Sequence, residues 1–328
     1  MPAMDVQPAL AAFVVSLACL WLLLHTHASQ LLLDRPNERS LHAHAVPRSG
    51  GVAIAAGAAA GIALAPQPPL AAFVLAGALA VLSLADDRLP LPTLLRLAAH
   101  LAAAAAFVAL LIGTGEPVAF ALLALALAWY TNLYNFMDGS DGLAGGMAIF
   151  GFGAYAWAAQ QSGHAPLAAA GAVLVAASLA FLPFNFHPAR LFMGDVGSVP
   201  LGFLAGALGL LGWRDGVWPL WFPVLVFAPF VCDATLTLLR RLVRRERVWQ
   251  AHRDHYYQRL VRMRFGHRGT AWIEYAAMAG CAAIALLARE ASPALQFGAL
   301  GACTVALGAI AVWIDLRWSR GQRGGMRG

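Results

Sequence analysis

The sequence contains no lysine: all 22 basic residues among its 328 are arginine, set against 16 acidic ones. Charge of either sign is scarce, at 12%, while hydrophobic residues make up 60% and the mean hydropathy is +0.68. That is more apolar surface than a soluble core can hide, which excludes a soluble globular protein. The four cysteines, Cys19, Cys232, Cys281 and Cys303, form no CxxC pair and sit in apolar runs, where they read as small hydrophobes. The opening MPAMDVQ lacks a basic stretch, so no cleaved secretory signal is expected. Strand alternation, internal repeats and long linkers are all missing, which argues against a β-barrel and leaves residues 1–328 as a single membrane domain.

What is present is a series of runs near the ~20 residues a bilayer requires. They fall at about 8–30, 50–65, 69–85, 94–112, 117–134, 143–160, 166–184, 198–212, 218–239, 270–288 and 294–316, the second and eighth being short. Backbone groups in lipid must be satisfied internally, so the expectation is an all-α polytopic integral membrane protein of about eleven transmembrane helices. An odd number of spans puts twenty arginines on one side, Arg35, Arg39, Arg48, Arg88, Arg96, Arg190, the ten from Arg240 to Arg268, Arg317, Arg320, Arg323 and Arg327, and only Arg214 and Arg289 on the other. The positive-inside bias then places the N-terminus in the periplasm and the C-terminus in the cytoplasm.

Loops on the sparse side are bland. Those on the arginine-rich side hold DRPNERSLHAHAVPRSGG (34–51), ADDRLPLPTLLR (85–96), NLYNFMDGSDGLAGG (132–146), FNFHPARLFMGDVGS (184–198) and the basic 240–268 segment. A cytoplasmic active-site face is therefore expected. Asp86, Asp87, Asp138, Asp141 and Asp195 gather there, and carboxylates this crowded raise one another's pKa unless a cation compensates. Oxygen donors without a Cys or His set suit a hard ion such as Mg²⁺, which tends to use one or two carboxylates plus substrate phosphates.

Asn132, Asn135, Asp138 and Asp141 recur every third residue, so on a continuous helix the row would drift around the axis. The helix should break near Phe136, with the following glycines admitting an anion and freeing N–H groups of the next helix. Around Asp195, Gly194 and Gly197 suggest a second phosphate-like site, with Ser198 capping a short helix and Phe192 offering a stacking face. Asp233, one to two turns from its helix end, reads as functional or as a snorkelling group. His252 and His255 lack the third ligand a zinc site needs, which favours phosphate or sugar contact. The 240–269 segment, with Trp249, Tyr256, Tyr257 and Phe265, is the largest cytoplasmic loop. It reads as basic, partly amphipathic-helical, suited to anionic lipid rather than nucleic acid.

The ordered motifs HAVPRSGG, ADDR, NLYNFMDGSDGLA, NFHPARLFMGDVGS and HRDHYYQRL resemble those of the polyprenyl-phosphate N-acetylhexosamine-1-phosphate transferases, of glycosyltransferase family 4 type, over residues 34–268. The resemblance implies an enzyme of the bacterial inner membrane. Its reaction would move an N-acetylamino sugar 1-phosphate from a UDP-sugar to undecaprenyl phosphate, releasing UMP, with Mg²⁺ as cofactor and Mn²⁺ as an alternative. It implies Asp195 as metal ligand and Asp86 and Asp87 beside the lipid phosphate. Asn132, Asn135, Asp138 and Asp141 would surround the nucleotide diphosphate, with Asn185 and Phe192 lining the nucleotide pocket. Arg48, His252, Arg253 and His255 complete the expected substrate contacts; a homodimer is left open.

Relatives acting on N-acetylglucosamine often end with an HxHH cluster where this chain has HYYQ, and some carry Lys near Arg48 and Arg96. HYYQ resembles members that use deoxy sugars such as N-acetylfucosamine or N-acetylquinovosamine. The TPTMGG and HHH signatures of phospho-N-acetylmuramoyl-pentapeptide transferases are not matched. The expectation is thus initiation of O-antigen or another surface polysaccharide, with the muramoyl-pentapeptide transferase, and a lipid-linked-sugar or anion transporter, as alternatives.

Overall fold

The computed structural model describes residues 5–26, 33–34, 45–247 and 252–325. Arg35, Arg39, Arg327 and Trp249 lie outside the described residues, as do parts of the 34–51 and 240–269 segments. Thirteen α-helices are described: α1 (Gln7–His25), α2 (Gly50–Leu64), α3 (Leu70–Asp86), α4 (Thr93–Ile112), α5 (Pro117–Phe136), α6 (Leu143–Gln161), α7 (Ala165–Asn185), α8 (Asp195–Arg214), α9 (Trp221–Val226), α10 (Ala228–Val243), α11 (Tyr256–Leu260), α12 (Gly266–Ala288) and α13 (Pro293–Gly325). The strands β1 (Leu33–Asp34) and β2 (Val46–Pro47) pair antiparallel, Leu33 opposite Pro47.

Each apolar run of the sequence carries a helix among the described residues, yet the number of spans does not follow from that. Seven helical segments are long and apolar enough to cross a membrane, whereas α2 and α3 are apolar but shorter, with 15 and 17 residues. The 218–239 run is broken at Phe227 into α9 and α10. The eighth run is longer than the sequence suggests, because α8 starts at Asp195 and runs for 20 residues.

α8 is the axis of the bundle. Of its apolar window 94% is buried, against 22% for α1 and 17% for α13. Lipid supplies no hydrophobic drive between helices, so close approach through small residues must provide the packing. α8 supplies Gly197, Gly202, Gly206, Gly209 and Gly212, and packs on α5 and α3. At Gly202 an added Cβ would lie 2.7 Å from the Tyr130 carbonyl oxygen of α5. The N-terminus of α2 meets that of α8 just as tightly: a Cβ on Gly51 would lie 2.3 Å from the Gly197 nitrogen.

Successive helices alternate between two faces. One gathers residues 86–92, 137–142, 186–194, 244–247 and 252–265; the other gathers 65–69, 113–116, 162–164, 215–220 and 289–292. Gly51→Ala should cost about 1–3 kcal/mol through overpacking against backbone that cannot move aside. A lower apparent melting temperature of the detergent-purified variant would show it.

Candidate active site

The NLYNFMDGSDG segment stops its helix where the sequence predicts: α5 ends at Phe136. α6 then opens at Gly142, whose φ of +76° favours glycine. The turn is held from α7 by Asn185, fully occupied by backbone: its Oδ1 accepts from Gly142 N at 3.0 Å and its Nδ2 donates to Leu191 O at 3.0 Å. Asn185, expected in the nucleotide pocket, is 2% exposed and latches two loops together.

A second loop is joined to this one by main-chain bonds. Phe192 N donates to Pro47 O at 2.8 Å, Gly50 N to Phe192 O at 2.9 Å and Gly51 N to Met193 O at 2.8 Å. The VPRSGG stretch is thereby zipped along LFMGD, and a Cβ on Gly194, at φ +69°, would fall 2.8 Å from Arg48 O. Phe192 is half-buried beside this seam. Ser198 does not cap a short helix as the sequence suggests. Gly194 is the N-cap of α8, and Ser198 lies a turn inside, donating to Gly194 O at 3.2 Å.

Around the start of α8 the carboxylates converge with two arginines. Arg96 donates to Asp86 Oδ2 at 3.1 Å and its same nitrogen stands 3.9 Å from Asp195 Oδ2. Leu91 N holds the other oxygen of Asp86 at 2.7 Å. Asn135 donates to Asp195 Oδ1 at 3.0 Å and to Ser198 Oγ at 2.9 Å, so α5 and α8 are tied at the site. Burial, and next the Asp195 carboxylate, push Asp138 up to about 7, against the opposing pull of Arg48 and a Gly194 backbone hydrogen bond. Asp87 caps α3 next to Asp86.

No group of three or more His, Cys, Asp or Glu side chains that could hold a metal occurs among the described residues. The Asp138 and Asp195 pair nevertheless fits a hard divalent ion of the kind completed by substrate phosphate oxygens, because its mutual repulsion asks for a cation.

The remaining expected residues separate from this pair. Asn132 is spent on Ala128 O (2.7 Å) and on His100 Nδ1 (3.2 Å), so it steadies α4 against α5. Asp141 faces two histidines: His187 Nδ1 lies 2.6 Å from Oδ2, and His267 Nδ1 3.5 Å from Oδ1, with the two imidazoles stacked 5.4 Å apart. His252 stacks on His255 at 4.9 Å, with Arg253 half-buried beside it.

His255 is 3% exposed and is organised from inside the bundle by Asp233. Asp233 Oδ1 accepts from Tyr256 N (3.0 Å) and Thr237 Oγ1 (3.1 Å) and lies 3.0 Å from His255 Nδ1; Oδ2 accepts from Tyr257 N (2.9 Å). Ten residues before the end of α10, Asp233 sits deeper than the sequence suggests. It does not snorkel toward the helix end but anchors HYYQ. Tyr257 in turn donates to Phe136 O at 3.1 Å over Gly139, where a Cβ would stand 2.1 Å from the phenol oxygen. Arg240 and Arg259 both pair with Asp315 of α13 and lie 5.1 and 5.5 Å from the centre of the Tyr256 ring.

Several of these residues are missed by motif reading. His100 follows Arg96 by four residues on α4, a polar pair on one helical face that the sequence does display. Asp315 is a lone acid in an apolar run, an equally visible signal. His187 and His267 carry no pattern that separates them from loop histidines.

The fold and site define an integral membrane protein that brings carboxylates and arginines together on one face, fitted to anionic substrates. Residues 69–212 match the model of glycosyl transferase family 4. A decaprenyl-phosphate N-acetylglucosaminephosphotransferase of Mycolicibacterium smegmatis is 32% identical over 289 residues, covering 73% of this chain and 71% of the relative. Its namesake in Mycobacterium tuberculosis is 30% identical over 84% of this chain and 79% of its own length. A phospho-N-acetylmuramoyl-pentapeptide-transferase of Symbiobacterium thermophilum is 38% identical, but over 39% of this chain and 37% of its own. The chain belongs to glycosyl transferase family 4.

Replacing Asp233 by Ala strands four donors in the interior and should cost about 3–5 kcal/mol. Accelerated proteolysis at residues 244–255, together with a lower melting temperature, is the expected result; unchanged values would remove Asp233 as the anchor.

Proposed function

We propose that the protein transfers an N-acetylamino sugar 1-phosphate from a UDP-sugar to undecaprenyl phosphate at the cytoplasmic face of a bacterial inner membrane, starting O-antigen or another surface polysaccharide. The observation that carries this reading is the Asp138–Asp195 pair flanked by Arg48 and Arg96 on the face that collects the polar loop motifs. The polyprenyl-phosphate N-acetylglucosamine phosphotransferases that the chain resembles over most of its length support the reaction class. The much shorter match to the muramoyl-pentapeptide transferase favours the polysaccharide branch.

In the net reaction the P–O bond between the two donor phosphates breaks and its electron pair leaves with UMP. An oxygen of the lipid phosphate takes over the sugar-bearing phosphorus. The second pKa of a phosphate monoester is near ~6, so the acceptor is largely dianionic at neutral pH and needs little general-base help. The chief obstacle is bringing two anions together. Arg96, salt-bridged to Asp86 and beside Asp195, reduces that repulsion, and Arg48 does so from the opposite loop. Mg²⁺, or Mn²⁺, held by Asp138 and Asp195, would supply charge neutralisation of the diphosphate. Asn135 orients Asp195, and the Asp233-anchored HYYQ segment, with His252, Arg253 and His255, faces the donor.

The test is UMP release by purified protein given undecaprenyl phosphate, Mg²⁺ and a panel of UDP-N-acetyl sugars, with EDTA as control. Metal-dependent release with one donor is expected, and its absence with every donor would count against the transferase. Asp195→Asn should abolish release, and Asp86→Asn and Asp138→Asn should each lower it by about 10²-fold or more. Arg96→Lys, which keeps the charge but loses the planar fork, should lower kcat by about tenfold.

A further inference from the structure

The face opposite the candidate site carries a cavity of about 330 Å³, between the α2–α3 connection and the ends of α4 and α8. One wall is apolar, built by Leu70, Phe107, Leu110 and Leu211, while His164, Arg214 and Asp215 form a polar edge. Leu70 and Leu110 are 58% and 69% exposed, so the wall continues onto the outer surface of spanning helices.

The hydrogen bonds at the edge leave one group unspent. His164 Nδ1 accepts the Leu167 N–H at 3.3 Å, which puts the imidazole proton on Nε2, 3.2 Å from Asp215 Oδ2. Arg214 Nε donates to the other oxygen, Oδ1, at 2.7 Å. Both carboxylate oxygens are thus engaged, and among the described residues the terminal guanidinium nitrogens of Arg214 make no hydrogen bond. Arg289, the other arginine of this face, differs: it is 7% exposed in its side chain and closes α6 by donating to Ala158 O at 2.6 Å and Ser162 Oγ at 3.2 Å. Architecture consumes Arg289, whereas Arg214 presents a charged fork to a cavity.

A guanidinium fork matches phosphate geometry, and in a lipid-facing recess the phosphate that brings hydrocarbon with it is a lipid headgroup. We propose that this cavity binds a phosphate-bearing lipid of the leaflet opposite the candidate active site, its phosphate on Arg214 and its chain along the Leu70–Leu110 wall. The inference stands apart from the transferase reading, because retention of a lipid is read without turnover.

The test is native mass spectrometry of the full-length protein in detergent with added phosphatidylglycerol. Wild type should retain one lipid under conditions where Arg214→Gln retains about tenfold less. Arg320→Gln, an exposed arginine on α13, should retain as much as wild type. Leu110→Trp narrows the recess with Arg214 intact and should also reduce retention, which keeps the test valid should Arg214→Gln fold poorly. Equal retention by wild type and both cavity variants would overturn the proposal. Thermal stabilisation by inorganic phosphate alone, as large as that by the lipid and lost in Arg214→Gln, would overturn the lipid assignment in favour of a free anion.

Discussion

The guanidinium of Arg96, set between the carboxylates of Asp86 and Asp195, is the contact on which the geometry of the candidate site depends. α3 ends at Asp86, α8 begins at Asp195, and Arg96 comes from the first turn of α4, so one cation joins three helices at the same membrane face. Without it, two carboxylates would face each other at a low-dielectric boundary where like charges repel strongly. The neighbouring Asp138 is raised first by burial and then by Asp195, while Arg48 pulls the other way.

Around that contact the scaffold is made mostly of main-chain hydrogen bonds. Phe192, Gly50 and Gly51 close a seam between two loops far apart in sequence, and the Asn185 amide joins a third. Asp233 does the same for HYYQ, collecting two backbone N–H groups, a hydroxyl and an imidazole. Polar side chains at membrane depth are costly unless satisfied, and here the satisfaction is what fixes loop position. Several motif residues therefore act through the loops they hold.

The sequence displays the helices well, since hydropathy and backbone satisfaction leave a membrane chain few choices. The break at Phe136 is equally legible, because a three-residue spacing of polar groups cannot stay on one helical face. Other features are harder to read. That α8 starts at Asp195 depends on Gly194 and on the zipped loop, a tertiary matter. That Asn185 and Asn132 spend their amides internally, while Asn135 reaches Asp195, cannot be told from three asparagines in similar motifs. The pairing of Asp141 with His187, 46 positions away, and with His267, 126 positions away, lies beyond any local pattern.

α8 also sets a length. Twenty residues at the α-helical rise of about 1.5 Å span about 30 Å, close to the hydrocarbon thickness of a bilayer. Packed on nearly every side, this helix has its position set by its neighbours and not by lipid. A helix of this length that spans the hydrocarbon acts as a ruler, and Asp195, as its first residue, would stand at the plane where hydrocarbon gives way to headgroups. A water-soluble nucleotide and an oil-soluble phosphate can meet at that plane without either one leaving its own phase.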